Sequence, residues 1–109
     1  MLIQMACPAP PRSLYGNRVT ALRWARILRR LGHRVVITKT YDGEPCDLLV
    51  ALHARRSARA ALQFRRRHPA KPLIVVLTGT DVYRDIHRSR RAQQALDAAT
   101  RLVTLQPLA

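Results

Sequence analysis

Apolar residues along the chain gather in short continuous runs that are separated by polar stretches. Runs of this kind are typical of strands buried on both faces of a parallel sheet. We predict strands at residues 1–7, 33–38, 47–52, 73–77 and 101–105. None of the runs approaches the roughly 18 consecutive apolar residues that a membrane-spanning helix needs, so we expect no membrane partner.

Between the strands, apolar residues recur at the spacing of one face of a helix. We predict that the first helix has Asn17 as its N-cap and Gly32 as its C-cap. Its predicted apolar stripe is Val19, Leu22, Ala25, Leu28 and Leu31, beside a polar stripe of Arg23, Arg26 and Arg30. Further helices are predicted at 55–67, 81–86 and 89–99, the first of them with Ala58, Ala61, Leu62 and Phe64 facing inward.

The alternation of strands and helices predicts the fold class. It favours an α/β fold, a Rossmann-like parallel sheet of about five strands with flanking helices. In such sheets the carboxyl ends of the strands meet at one edge, here called the ligand edge, because ligands bind there. We expect residues 8–17, 53–55, 78–81 and 106–107 at the ligand edge and residues 42–46 at the opposite edge.

The start of the first helix is a candidate anion site. Gly16, Asn17 and Arg18 open this helix at the ligand edge. Unpaired backbone N–H groups and the positive end of the helix dipole favour an anion there, and Arg18 adds a charged donor. The alternative is an ordinary helix start with a solvated Arg18. The segment lacks the glycine pattern of dinucleotide-binding loops and the Gly-Lys-Ser/Thr ending of a P-loop.

Two more segments follow strands at the same edge. The residues directly after the fourth strand supply two hydroxyls, a flexible backbone and a carboxylate: Thr78, Gly79, Thr80 and Asp81. Asp81 either binds substrate hydroxyls or caps the helix that it opens. His53 ends the third strand as a candidate general base, proton donor or phosphate partner, or it caps the next helix. His53 and Asp81 are therefore the candidates for a catalytic role, and we expect no metal site.

The charge balance adds a second hypothesis. The chain carries 20 basic and 6 acidic residues, a formal charge of +14. The alternative function is therefore a small Arg-rich α/β module that binds nucleic acid or another polyanion, through Arg23, Arg26, Arg30 and residues 65–67. However, the basic residues are spread over several helices, and aromatic residues, at 5%, offer little for base stacking. Nucleic acid is not the expected partner.

The cysteines and the amino terminus favour a cytoplasmic chain. Cys7 and Cys46 have no metal-ligand spacing, and a disulfide between them is not expected in the cytoplasm. Residues 1–8 carry no basic residue before their short apolar run, so we predict a strand and reject a signal peptide.

Several motifs spread over nearly the whole chain carry a resemblance to a known family. They are Gly-Asn-Arg-Val-Thr-Ala at 16–21, Leu-Gly-His at 31–33, Asp-Leu-Leu-Val-Ala-Leu-His at 47–53, Leu-Thr-Gly-Thr-Asp at 77–81 and Leu-Val-Thr-Leu-Gln-Pro-Leu at 102–108. Together they resemble the amino-terminal part of family-4 glycosyltransferases of the GT-B fold. Within that family they look closest to the selenosugar synthases of selenoneine biosynthesis.

The resemblance implies a transferase that moves a sugar, N-acetylglucosamine, from a UDP-sugar to an anionic acceptor, selenophosphate. No cofactor is implied beyond the UDP-sugar co-substrate. It implies substrate-binding roles for Gly16, Asn17, Arg18 and residues 78–81. The family's histidine in the loop after the fourth strand has no counterpart in Leu77-Thr78-Gly79, so its role does not transfer.

The resemblance also bears on domain organisation. In GT-B enzymes the amino-terminal domain mainly holds the acceptor, and a carboxyl-terminal domain holds most of the nucleotide sugar. We therefore expect residues 1–109 to form a single, incomplete, Rossmann-like acceptor-side domain that lacks the carboxyl-terminal domain. Alone, such a chain should be inactive as a transferase.

Overall fold

The fold is described from a computed structural model of the chain, which covers residues 1–8, 16–53, 56–77 and 90–104. Side chains of residues 16, 17, 91, 92 and 104 are not described. The strands are β1 Leu2–Ala6, β2 Arg34–Thr38, β3 Leu48–Leu52, β4 Leu73–Leu77 and β5 Arg101–Thr104. The helices are α1 Gly16–Arg30, α2 Ala58–Arg67 and α3 Arg90–Ala98.

The strands form one sheet in the order β2-β1-β3-β4-β5, and every neighbouring pair is parallel. The predicted Rossmann-like parallel sheet with flanking helices is thus confirmed. The chain runs outward from β1 to β2 and then returns past β1 to β3, β4 and β5. The reversal makes the boundary between β1 and β3 a topological switch point, the place in such sheets where a crevice opens at the carboxyl ends of the strands.

The central strand β3 is apolar on both faces because helices cover both. Leu49 and Ala51 belong to a cluster with α2 and α3, whereas Leu48, Val50 and Leu52 belong to a second cluster with α1. All five side chains of β3 are buried. Burying a leucine or valine side chain contributes roughly 1.5–3 kcal/mol, so β3 anchors the core.

The buried face of α1 differs from the predicted stripe. Ala21 and Ala25 are fully buried, but Val19, Leu22 and Leu31 are 46%, 47% and 68% exposed. The stripe prediction was therefore wrong for these three residues. Alanines lie against the sheet because their small side chains let the helix backbone approach closely.

Both ends of α1 are informative. The helix begins at Gly16, so Asn17 lies in its first turn and not at the predicted N-cap position. At the other end Gly32 has a φ of 95°, and its N–H donates to Arg29 while the N–H of His33 donates to Leu28. This pair of bonds is the Schellman arrangement, which confirms Gly32 as the C-cap residue.

The helix α2 begins at Ala58, three residues after the predicted start at 55, because the residues before it form a turn. Ala58, Ala61 and Phe64 are buried as predicted, but Leu62 is only partly buried. The helix α3 agrees with the prediction at 89–99, and the helix predicted at 81–86 lies outside the described residues. None of the described helices is long and apolar enough to cross a membrane.

Residues 39–47, here called the β2–β3 crossover, connect two parallel strands without a helix. Tyr41 and Cys46 of this crossover are buried in the cluster with α2. The crossover ends at the amino edge of the sheet, where the Leu2 N–H donates to Asp47 Oδ2 over 2.7 Å. Cys7 lies in the opposite cluster, and both cysteines are free.

Candidate functional site

The topological switch point brings two of the predicted site segments to one place. The first turn of α1, with Gly16, Asn17 and Arg18, begins the helix that follows β1, and His53 directly follows β3. Since β1 and β3 are paired from Ile3–Leu48 to Ala6–Ala51, these segments lie at the carboxyl ends of adjacent strands. The expectation that they share the ligand edge agrees with the sheet order.

Arg18 is the charged group of the first turn of α1. Its side chain is half-buried, and its Nε is shielded from solvent without a hydrogen-bond partner. A buried donor left unpaired costs about 1–3 kcal/mol, so Arg18 is suited to an acceptor that arrives with a ligand. The N–H groups of a first helical turn also have no intrahelical partner. The alternative of a fully solvated Arg18 does not agree with its burial.

His53 has an unusual backbone conformation. It is 3% exposed and has a φ of 76°, in the left-handed region. Histidine enters this region more readily than most residues that carry a Cβ. Two bonds hold the turn: the His53 N–H donates to Val76 O over 3.0 Å, and the Ser57 N–H donates to His53 O over 2.9 Å. The Ser57 hydroxyl also donates to the carbonyl oxygen of Leu52.

The ring of His53 has a defined role in this turn. Its Nδ1 lies 3.1 Å from the Arg56 backbone N and accepts the N–H bond just before α2 begins. The alternative that His53 caps the next helix is wrong, because the N-cap residue of α2 is Ser57 and the ring of His53 accepts from the turn before it. Because Nδ1 must be unprotonated to accept, the neutral ring carries its proton on Nε2. In this tautomer Nε2 is a donor and not a general base.

The remaining predicted site residues cannot be placed. The strand β4 ends at Leu77, the residue before the segment 78–81. Residues 78–81, with the candidate catalytic Asp81, and residues 106–107 lie outside the described residues. Among the residues that are described, no group of three or more His, Cys, Asp or Glu side chains could hold a metal ion.

Arg65, one of the residues named for polyanion binding, has a structural role. Its Nε donates to Ala98 O over 2.9 Å, and its Nη2 donates to Thr100 Oγ1 over 2.8 Å. Its Nη1 donates to the carbonyl oxygens of Pro69 and Lys71 over 3.0 and 2.9 Å. These bonds tie the end of α2 to the connection between α3 and β5, and they occupy four of the five N–H donors of the guanidinium.

The other arginines named for polyanion binding do not form one surface. Arg23, Arg26 and Arg30 are exposed on α1, which packs against one face of the sheet. Arg66 and Arg67 are exposed at the end of α2, which packs against the other face. A nucleic-acid interface normally gathers its basic residues on one face or along one helix.

Sequence reasoning missed a buried polar group in the β2–β3 crossover. Tyr41 is only 6% exposed, and its hydroxyl is shielded from solvent. This hydroxyl nevertheless has no hydrogen-bond partner. Burial raises the pKa of this hydroxyl, and the charge of nearby Cys46 acts in the same direction. The only signal in the sequence was an aromatic residue next to the polar turn at Asp42 and Gly43, which does not predict burial.

Comparison with known proteins gave no assignment. No protein-family model matches the chain, and no curated protein matches it significantly. The relationship to glycosyltransferases therefore stays a prediction from the motifs.

Proposed function

We propose that the chain is the acceptor-binding side of a GT-B glycosyltransferase. The enzyme would transfer N-acetylglucosamine from a UDP-sugar to selenophosphate, as the motifs that resemble family-4 enzymes imply. In this proposal residues 1–109 hold the acceptor, and a second Rossmann-like domain holds the UDP-sugar.

One observation carries the proposal. The first turn of α1 and the turn at His53 follow β1 and β3, the two strands that flank the switch point. An acceptor anion placed there meets the positive end of the α1 dipole and the half-buried guanidinium of Arg18, whose Nε has no partner. Arginine binds phosphate-like anions through charge-assisted, often bidentate hydrogen bonds, so this environment favours selenophosphate over a neutral acceptor.

The proposal gives each described site residue a role. Arg18 neutralises the acceptor, and backbone N–H groups at Gly16 and Asn17 orient it. His53 holds the turn that follows β3, because its Nδ1 accepts from the Arg56 N–H. The general-base role is not assigned to His53, and residues 78–81 complete the site from the loop after β4.

The first experiment separates binding from catalysis. The 109-residue chain is titrated anaerobically with selenophosphate and separately with UDP-N-acetylglucosamine in a calorimeter, and the mixture is assayed for a selenosugar. We expect weak selenophosphate binding, no comparable binding of the UDP-sugar and no product. Turnover by the chain alone would show that no second domain is required, and absence of selenophosphate binding would overturn the acceptor assignment.

A further inference from the structure

A second concave site lies away from the switch point. A groove of about 440 Å³ opens between the β2–β3 crossover and the last turns of α2. We call it the crossover groove, and its lining residues are Tyr41, Asp42, Gly43, Gln63, Arg66 and Arg67. The helix α2 starts after β3 and ends before β4, so its last turns lie at the amino edge of the sheet, opposite the ligand edge.

The crossover groove carries a surplus of positive charge. Arg66 and Arg67 are exposed, and neither has an ion pair with any residue that the structure describes. The single carboxylate of the lining, Asp42, already accepts a bond from the Glu44 N–H, with its Oδ1 2.9 Å from that nitrogen. Two guanidinium groups against one hydrogen-bonded carboxylate favour an anionic ligand.

Tyr41 is the buried residue of the groove lining. Its ring meets the ring of Phe64 edge to face, with centroids 5.4 Å apart, and this contact fixes the side chain. The hydroxyl is buried and unpartnered. Buried hydroxyls almost always have a hydrogen-bond partner, because leaving one unpaired costs about 1–3 kcal/mol. A ligand acceptor beside Tyr41 would remove this cost.

Arg67 lies against the crossover at Gly43. Its Nη1 would be 3.0 Å from a Cβ at position 43, so the glycine leaves room for the guanidinium. Gly43 also has a φ of 82°, which favours glycine. Because Arg67 is exposed and has no ion pair among the described residues, its guanidinium is available to an anion in the groove.

We propose that the crossover groove binds a small oxyanion, a phosphate or carboxylate group, between the guanidinium groups of Arg66 and Arg67 and the hydroxyl of Tyr41. Gln63 adds an amide donor at the rim. This site is independent of the proposed transferase function, because no residue of the crossover groove belongs to the switch point.

The test follows backbone amide signals of the 109-residue chain by ¹H–¹⁵N NMR during titration with inorganic phosphate and, in a second arm, with acetate. Signals of Asp42, Gly43 and Arg67 should shift and saturate. The ligand with the lower dissociation constant, phosphate or acetate, shows whether the groove prefers a phosphate or a carboxylate group. The variants are Tyr41→Phe and Arg67→Gln. The control is Arg59→Gln, which removes the same charge from an exposed position of α2 outside the groove.

We expect Tyr41→Phe and Arg67→Gln to weaken binding about tenfold, the loss of one hydrogen bond to a charged group. Arg59→Gln should leave the dissociation constant within about twofold, because long-range charge effects are screened by salt. Tyr41→Phe should keep or raise the midpoint of urea unfolding, since it removes an unpaired buried hydroxyl. This combination of retained stability and weakened binding distinguishes a ligand contact from a structural role.

Equal binding by the unsubstituted chain and Tyr41→Phe would overturn the proposal, as would equal effects of Arg67→Gln and Arg59→Gln. Absence of saturable shifts at Asp42, Gly43 and Arg67 would do the same. The variant Arg18→Gln should leave these shifts unchanged, so failure of the crossover groove and failure of the switch-point site are read separately.

Discussion

At the scale of single residues, His53 has a structural role that the sequence did not reveal. Its positive φ and the bond from the Arg56 N–H to Nδ1 build the turn between β3 and α2. Neither feature can be read from the sequence, because a histidine after an apolar run is equally compatible with extended backbone and a solvated ring. The sequence identified the residue and its position, while the left-handed turn and the tautomer came from the structure.

Substitutions of His53 test its role in the turn between β3 and α2. His53→Ala should lower the free energy of unfolding by about 2 kcal/mol, because alanine loses the bond from Arg56 and is strained at a positive φ. His53→Asn should recover about half of this loss, since asparagine tolerates the left-handed region and offers an oxygen acceptor. Urea unfolding measures both variants. Equal stability of the two would contradict the account of this turn.

Tyr41 and Cys46 make the fold sensitive to alkaline pH. Burial raises the pKa of the Tyr41 hydroxyl and of the Cys46 thiol above their ordinary values of 10.0 and 9.0. The folded chain therefore keeps these protons at a pH where the unfolded chain releases them. Their contribution to stability is complete below pH 9.0 and is lost as pH rises through the raised pKa values.

We expect the free energy of unfolding to fall between about pH 9 and pH 11, with part of this fall removed in Tyr41→Phe and part in Cys46→Ala. Urea unfolding at a series of pH values gives the slopes. The control is Cys7→Ala, which removes the other free thiol. If the free energy of unfolding falls with the same slope in the unsubstituted chain and in all three variants, the assignment of the alkaline loss to the β2–β3 crossover is contradicted.

At the scale of elements, Arg65 joins α2 to the connection between α3 and β5. Replacing it by glutamine should lower the free energy of unfolding by about 2 kcal/mol, because several charge-assisted bonds to carbonyl oxygens are lost together. The neighbouring substitution Arg66→Gln should change it by less than about 0.5 kcal/mol, since Arg66 is exposed. Urea unfolding compares the two variants, and equal losses would mean that the guanidinium bonds of Arg65 contribute little.

The elements also show what the pattern of the sequence could predict. The strands were predicted to within one residue at each end, because continuous apolar runs between polar segments have few other interpretations. The inward face of α1 was predicted correctly at Ala25 and incorrectly at Val19, Leu22 and Leu31. Apolar residues occur around most of the circumference of α1, so the exposed ones were spaced as regularly as the buried ones. The face that packs inward becomes clear only from the sheet, against which Ala21 and Ala25 lie.

At the scale of the whole molecule, strand order decides where a ligand can bind. The sequence predicted parallel strands and a ligand edge, but a pattern along the chain does not give the order β2-β1-β3-β4-β5. That order places α1 and α2 on opposite faces of the sheet and gives the crevice a position between β1 and β3. The proposed site at the first turn of α1 and the turn at His53 therefore depends on a strand order that only long-range pairing gives.

The most direct measurement for this account is a ¹H–¹⁵N NMR titration of the 109-residue chain with selenophosphate under anaerobic conditions. We predict saturable shifts of the amides at residues 16–18 and 53, about tenfold weaker binding in Arg18→Gln and little change in Arg23→Gln, an exposed arginine of the same helix. Shifts confined to the exposed arginine faces of α1 and α2, with equal effects of the two substitutions, would contradict a selenophosphate site at the switch point.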